Sequence, residues 1–140
     1  MYPMIDLTFE RHIKASITTV WNGLTRSDLI AKWFFAVDFK PVVGHRFTLI
    51  GNATTGWRGW TNVEIFVLEP PHRMVWSFDC IDEAQPSTVE IRLEEREAGV
   101  QLTLMHTGEV PTQTKRLLEE GWNTYIGRLS RLCERIPAWV

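Results

Sequence analysis

The sequence predicts an α+β fold: a six-stranded antiparallel sheet wrapped around one long C-terminal helix, with two short helices between strands 1 and 2. Three observations predict it. Between residues 73 and 106 apolar side chains recur at every second position, the period of a half-buried strand. After Gly108 and Pro111 the period changes to 3.6. Leu118, Trp122, Tyr125, Leu129, Leu132 and Ile136 then form one helical stripe. A single apolar stripe must cover a single apolar sheet face, so the helix and the sheet are partners.

The elements follow in order. Leu7, Phe9, Arg11 and Ile13 share one parity, a strand with a polar intruder. Ser16 or Thr18 can cap a first helix carrying Val20, Trp21 and Leu24. Ser27-Asp28 is read as the cap of a second, with Leu29, Ile30, Trp33 and Phe34 at helical spacing. Pro41 and Gly44 punctuate a loop before a strand near Arg46–Ile50. Gly51–Gly56 is a turn cluster, and Trp60–Leu68 is a β-branched and aromatic strand stopped by Pro70-Pro71. Both parities of that strand are apolar, which predicts a bulge or burial on both faces. Met74, Trp76, Phe78 and Cys80 alternate with Arg73, Val75, Ser77 and Asp79; Val89, Ile91 and Leu93 with Glu90, Arg92 and Glu94; and Leu102, Leu104 and His106 with Gln101, Thr103 and Met105. Three such consecutive runs read as an antiparallel meander with one buried face. The final helix runs from Thr112 to Ile136, roughly 37 Å at ~1.5 Å per residue, and Pro137 ends it.

Length and charge narrow the function classes. The 140 residues, 44% of them hydrophobic, read as one domain over 1–140 with room for a real core. With 15 Lys+Arg against 17 Asp+Glu and no basic run, nucleic-acid binding is not expected. The longest apolar runs fall far short of the ~20 residues of a membrane helix. The first residues lack a basic and an apolar region, so no signal peptide is expected. Cys80 and Cys133 form no paired motif and read as buried thiols of a cytoplasmic protein. No nucleophile elbow, phosphate loop or metal-ligand spacing occurs, so neither metal nor cofactor is predicted. The surplus is aromatic: 7 tryptophans and 7 phenylalanines against 2 tyrosines, more rings than core filling needs.

The ordered motifs resemble the SRPBCC/START-like helix-grip superfamily, and within it the bacterial heat-shock-protein ATPase activator homologues (AHSA-like). Ala15-Ser16-Ile17-Thr18-Thr19-Val20-Trp21 resembles the family's lead-in to helix 1, although Ser16 stands where proline is common. Leu24–Phe34 resembles its Leu-Thr-Asp-Pro-Glu-Leu-Leu-x-x-Trp-Phe segment. Val67–Met74 is similar to its Pro-Pro-x-Arg hairpin, and Leu102–Gly108 to its Leu-Thr-Leu-Thr-His-x-Gly strand. Gly121-Trp122 near the start of the last helix is also typical. The resemblance covers roughly residues 7–135. It implies a cavity between the sheet and the last helix that takes a small hydrophobic or aromatic molecule. Two alternatives come with it: a cyclase- or aromatase-like enzyme using the same cavity, and a domain that interacts with a chaperone ATPase. The loop Gly51–Trp60 is aromatic where many members are polar.

Parity and helical spacing nominate the cavity side chains. From the strands these are Arg11, Phe47, Trp60, Trp76, Phe78, Ile91, Leu104 and His106. From the helices they are Trp33, Phe34, Trp122, Tyr125, Ile126 and Leu129. A largely apolar pocket with a few polar groups is the usual form of a ligand site, and Arg11, His106 and Tyr125 would supply that minority. For His106 two readings stand: a ligand contact or general base, and a histidine bonded to its neighbours. For Gly121 and Gly127, helix-interior glycines that cost about 1 kcal/mol each, close approach to the sheet competes with space left for a cavity. Homodimerisation through aromatics such as Trp57 and Trp139 is a further expectation.

Overall fold

Alternating side chains along six runs build one antiparallel sheet in the computed structural model, which describes residues 2–136. The strands are β1 (Met4–Ile13), β2 (Arg46–Ile50), β3 (Trp60–Glu69), β4 (Arg73–Asp79), β5 (Ser87–Arg96) and β6 (Gly99–Glu109). Their spatial order is β1-β6-β5-β4-β3-β2, so β1 and β2 are the two edges. Between β1 and β2 lie α1 (Ile17–Thr25) and α2 (Ser27–Trp33), and α3 (Thr112–Arg135) closes the chain order. Four hairpins in succession, β2 to β6, make the meander. The long connection through α1 and α2 carries the chain from one edge to the other.

The α+β helix-grip class is what the sequence predicts, and its local details have local causes. Ser16 is the cap of α1, its Oγ accepting from the Thr19 amide at 3.1 Å. Ser27 is not a cap. Arg26 holds that position for α2 with no side-chain capping bond, and the Ser27 Oγ accepts from the Phe39 amide and donates to the Phe39 carbonyl. It thereby ties the loop that leads to β2 back onto α2. The double apolar parity of β3 resolves as a bulge between Ile65 and Val67. Before it Val63 and Ile65 face the core, and at it Phe66 turns outward.

One face of the sheet is the core. Met74, Trp76, Val89, Ile91, Leu93, Leu102 and Leu104 are buried there with Trp122, Ile126, Leu129 and Cys133 of α3. The outer face carries ion pairs, among them Arg46–Glu64 and Arg73–Glu90. On α3 the most deeply buried line runs through Trp122, Ile126, Leu129 and Cys133, while Leu118, Tyr125 and Leu132 of the predicted stripe flank it half-buried. Among the described residues no helix is long and apolar enough to cross a membrane.

Candidate functional site

The face-to-face packing of α3 and sheet is complete at one end and open at the other. At the open end lies a cavity of about 360 Å³. Its apolar walls come from four parts of the chain. Phe34 and Phe35 follow α2, Leu49 and Phe78 come from the sheet, Trp57 from the β2–β3 loop, and Leu117, Leu118, Trp122 and Tyr125 from α3. The rings pack on one another around the void. Phe34 stacks on Trp122 with centroids 5.5 Å apart and meets Tyr125 edge-on at 5.0 Å. Phe35 meets Trp57 at 6.2 Å.

The β2–β3 loop reaches the cavity because two glycines allow it. A Cβ on Gly51 would lie 2.7 Å from the Trp57 ring, so only glycine lets the indole cross the backbone there. Gly56 has φ +92° and packs on the first turn of α3, where a Cβ would fall 2.9 Å from the Gln113 carbonyl carbon. Two side-chain hydrogen bonds fasten the loop where it meets the cavity. The Thr114 hydroxyl donates to the Gly56 carbonyl at 2.6 Å, and the Trp57 indole donates to the Thr61 hydroxyl at 2.9 Å.

Gly121 lines the cavity from α3. An added Cβ would meet Tyr125 at 3.6 Å, an ordinary contact, and no sheet atom within 4 Å. Close approach to the sheet therefore does not explain this glycine, whereas the adjoining space does. Gly127 also meets no sheet atom within that distance; its nearest neighbour is the Arg131 side chain.

A buried polar chain supports the cavity floor. The Trp122 indole donates to His106 Nδ1 at 3.0 Å. With Nδ1 accepting, the neutral ring carries its proton on Nε2, which donates to the Ser87 hydroxyl at 2.7 Å. Ser87 in turn donates to the Phe78 carbonyl. Full burial pushes the His106 pKa down to about 4, so the imidazole is neutral at physiological pH. Both nitrogens are committed and neither faces the cavity. His106 thus orients Trp122; it is bonded to neighbours, as the second of its two readings has it.

The remaining nominated residues separate into three groups. Phe34, Phe78, Trp122 and Tyr125 do line the cavity. Trp33, Phe47, Trp76, Ile91, Leu104, Ile126 and Leu129 are buried in the filled core, as is His106. Arg11 and Trp60 belong to neither, and their placement corrects the parity reading. Arg11 is exposed on the edge strand β1, where a charged side chain stays in water. Trp60 pairs with Ile50 on the outer face, and its ring lies under the Arg58 guanidinium, 3.2 Å from the centroid. Trp57, expected as a surface aromatic for dimerisation, is instead part of the cavity wall; Trp139 lies outside the described residues.

Among the cavity residues that sequence reasoning missed are Phe35, Trp57, Thr61, Cys80, Glu120 and Arg128. Two had a signal: Cys80 shares parity with Phe78, and Arg128 continues the Gly121–Tyr125 face of the helix. Trp57 had none beyond its unusual loop. Cys80 is neutral, its thiol pushed up to about 11 by burial, with Arg58 acting in the opposite direction. Partial burial likewise raises the Tyr125 hydroxyl above its ordinary value against the pull of Arg128. Among the described residues no three His, Cys, Asp or Glu side chains gather to hold a metal ion.

Comparison with known proteins places this geometry. The chain matches the family described as activator of Hsp90 ATPase homolog 1-like protein over residues 14–134. No curated protein matches it in sequence. Among solved structures, protein MLL2253 from Mesorhizobium loti is 26% identical with a TM-score of 0.79, covering 95% of this chain and 99% of that one. CalU16 from Micromonospora echinospora is 25% identical with a TM-score of 0.76, covering 93% of this chain and 76% of its own. The Aha1 dimer from Colwellia psychrerythraea shares the fold at 19% identity and a TM-score of 0.78, over 94% of this chain and 97% of that one.

Proposed function

The chain belongs to the activator of Hsp90 ATPase homolog 1-like family, and we propose that it binds a small hydrophobic or aromatic molecule in the cavity between the sheet and α3. One observation carries the reading. The rings of Phe34, Phe35, Trp57, Phe78, Trp122 and Tyr125 surround about 360 Å³ of space that Gly121 leaves open. That volume falls in the range of small-molecule sites, roughly 300–1,000 Å³, and near its lower end, which suits a compact ligand. The hydrophobic effect supplies affinity, and stacking on the rings adds shape selection. The His106 nitrogens are committed to Trp122 and Ser87 and the Cys80 thiol is protonated, so neither supplies a base or nucleophile to the cavity. Binding is therefore the better-supported reading over catalysis.

The test is titration with the neutral fluorophore phenylnaphthylamine. The wild-type protein is expected to enhance its emission saturably with one site per chain. Gly121→Leu, whose side chain grows into the cavity, is expected to abolish the enhancement while the circular dichroism stays unchanged. Absence of enhancement in the wild type, or full enhancement in a folded Gly121→Leu variant, would sink the proposal.

A further inference from the structure

The cavity walls are apolar, but two charges line its mouth, and they stand apart. Glu120 and Arg128 both belong to α3 and border the cavity. They are about two turns from each other, roughly 12 Å along the helix at ~1.5 Å per residue. Among the described residues neither has an ion-pair partner. A mouth with one uncompensated cation and one uncompensated anion at separate positions is polar along α3.

The Arg128 end is the built one. Its guanidinium carbon lies 5.7 Å from the centroid of the Tyr125 ring, so the head group is held against the cavity wall. The Tyr125 hydroxyl has no protein partner among the described residues. Of the wall threonines, Thr114 donates to Gly56 and Thr61 accepts from Trp57, while Thr54 and Thr124 also line the cavity and Tyr125 is the hydroxyl that lies beside Arg128. A tyrosine phenol is protonated at neutral pH, so the group can donate. A guanidinium fork beside a phenol donor matches the two oxygens of a carboxylate.

We infer that the ligand of this cavity is an aromatic acid, a flat ring system held among Phe34, Phe35, Trp57 and Trp122 with its carboxylate at Arg128 and Tyr125. The inference rests on the cavity-binding reading above and narrows it to one ligand class. Glu120 sharpens the orientation, because a carboxylate at its end of the mouth would meet a like charge. Arg128 is exposed, so its replacement leaves the core intact.

Calorimetric titration at neutral pH with three probes of one shape tests it: naphthoate, neutral naphthamide and cationic naphthylmethylamine. Naphthoate is expected to bind about tenfold more tightly than naphthamide, the scale of one charge-assisted pair of hydrogen bonds. Arg128→Gln is expected to remove that advantage, weakening naphthoate about tenfold and naphthamide by clearly less. Tyr125→Phe is expected to remove a smaller part of it. Equal affinity for naphthoate and naphthamide, tighter binding of the amine, or an equal loss for all probes in Arg128→Gln would overturn the aromatic-acid inference and leave the cavity reading standing. Failure of all three probes to bind, like failure of phenylnaphthylamine, would defeat both.

Discussion

The two ends of α3 meet the rest of the molecule in opposite ways. Toward the C-terminus Ile126, Leu129, Ser130 and Cys133 are buried, and α1 comes close. A Cβ on Gly23 of α1 would lie 3.0 Å from a Leu129 methyl and 3.3 Å from the Cys133 sulfur. Toward the N-terminus Leu117, Leu118 and Gly121 are half-buried around open space, and a Cβ on Gly121 would fit. A glycine therefore does opposite work in the two halves, admitting a neighbour in one and keeping room in the other. Trp122 sits at the boundary, its indole fastened by the His106–Ser87 chain. The rigid half holds the hollow half in shape, so stability and binding are carried by different residues.

Truncation in the closed half has the largest expected effect. Leu129→Ala removes a side chain that is 1% exposed and should cost about 3–4 kcal/mol in urea unfolding. Leu118→Ala, at the cavity, should cost about 1 kcal/mol, because its loss enlarges a space that already exists. Equal costs would break the distinction between the halves.

The boundary has a pH signature. In the unfolded chain His106 takes up a proton near its ordinary 6.5, but in the folded protein only near about 4. Between those values the unfolded state binds more protons, so stability falls as pH drops through this window. The loss amounts to about 3 kcal/mol and levels off below about 4. Urea unfolding of wild type and His106→Gln at several pH values should show a shallower slope in the variant over that window. Identical slopes would mean that His106 is not buried neutral.

Smaller effects belong to the hollow half. Gly121→Ala should stabilise the protein by about 0.5–1 kcal/mol, since the helix gains propensity and the new methyl meets only an ordinary contact. Destabilisation would show that the space beside Gly121 is filled. Cys80, with its thiol held at about 11, should label with iodoacetamide at mildly alkaline pH far more slowly than in urea. Fast labelling of the native protein would mean that the cavity opens more widely than its walls indicate.

The sheet was readable because period-two alternation in β4, β5 and β6 marks a face directly, and the change to helical period after Pro111 marks its cover. The site was readable only in part. Parity states which side of the sheet a residue takes, but not what lies opposite it. Arg11 shares the parity of the buried Leu7 and Ile13, yet it is exposed on the edge strand and its charge stays in water. Trp60 shows the reverse failure: both parities of β3 were apolar, and only the bulge and the Arg58 contact decide which ring goes outside. Ile91 and Leu104 have the same pattern as Phe78, yet they face packed atoms and Phe78 faces space. Trp57 arrives from a loop whose path depends on Gly51, Gly56 and Thr114 meeting residues distant in sequence.

By itself, then, the sequence determined the elements, their order, the α+β class and the identity of the apolar face, since each depends on local periodicity and turn chemistry. The tertiary structure alone decided where the core is filled and where it is hollow, which histidine nitrogen carries the proton, and which rings form the wall. Those properties depend on distances between residues far apart in the chain, and a void is defined by atoms that do not meet.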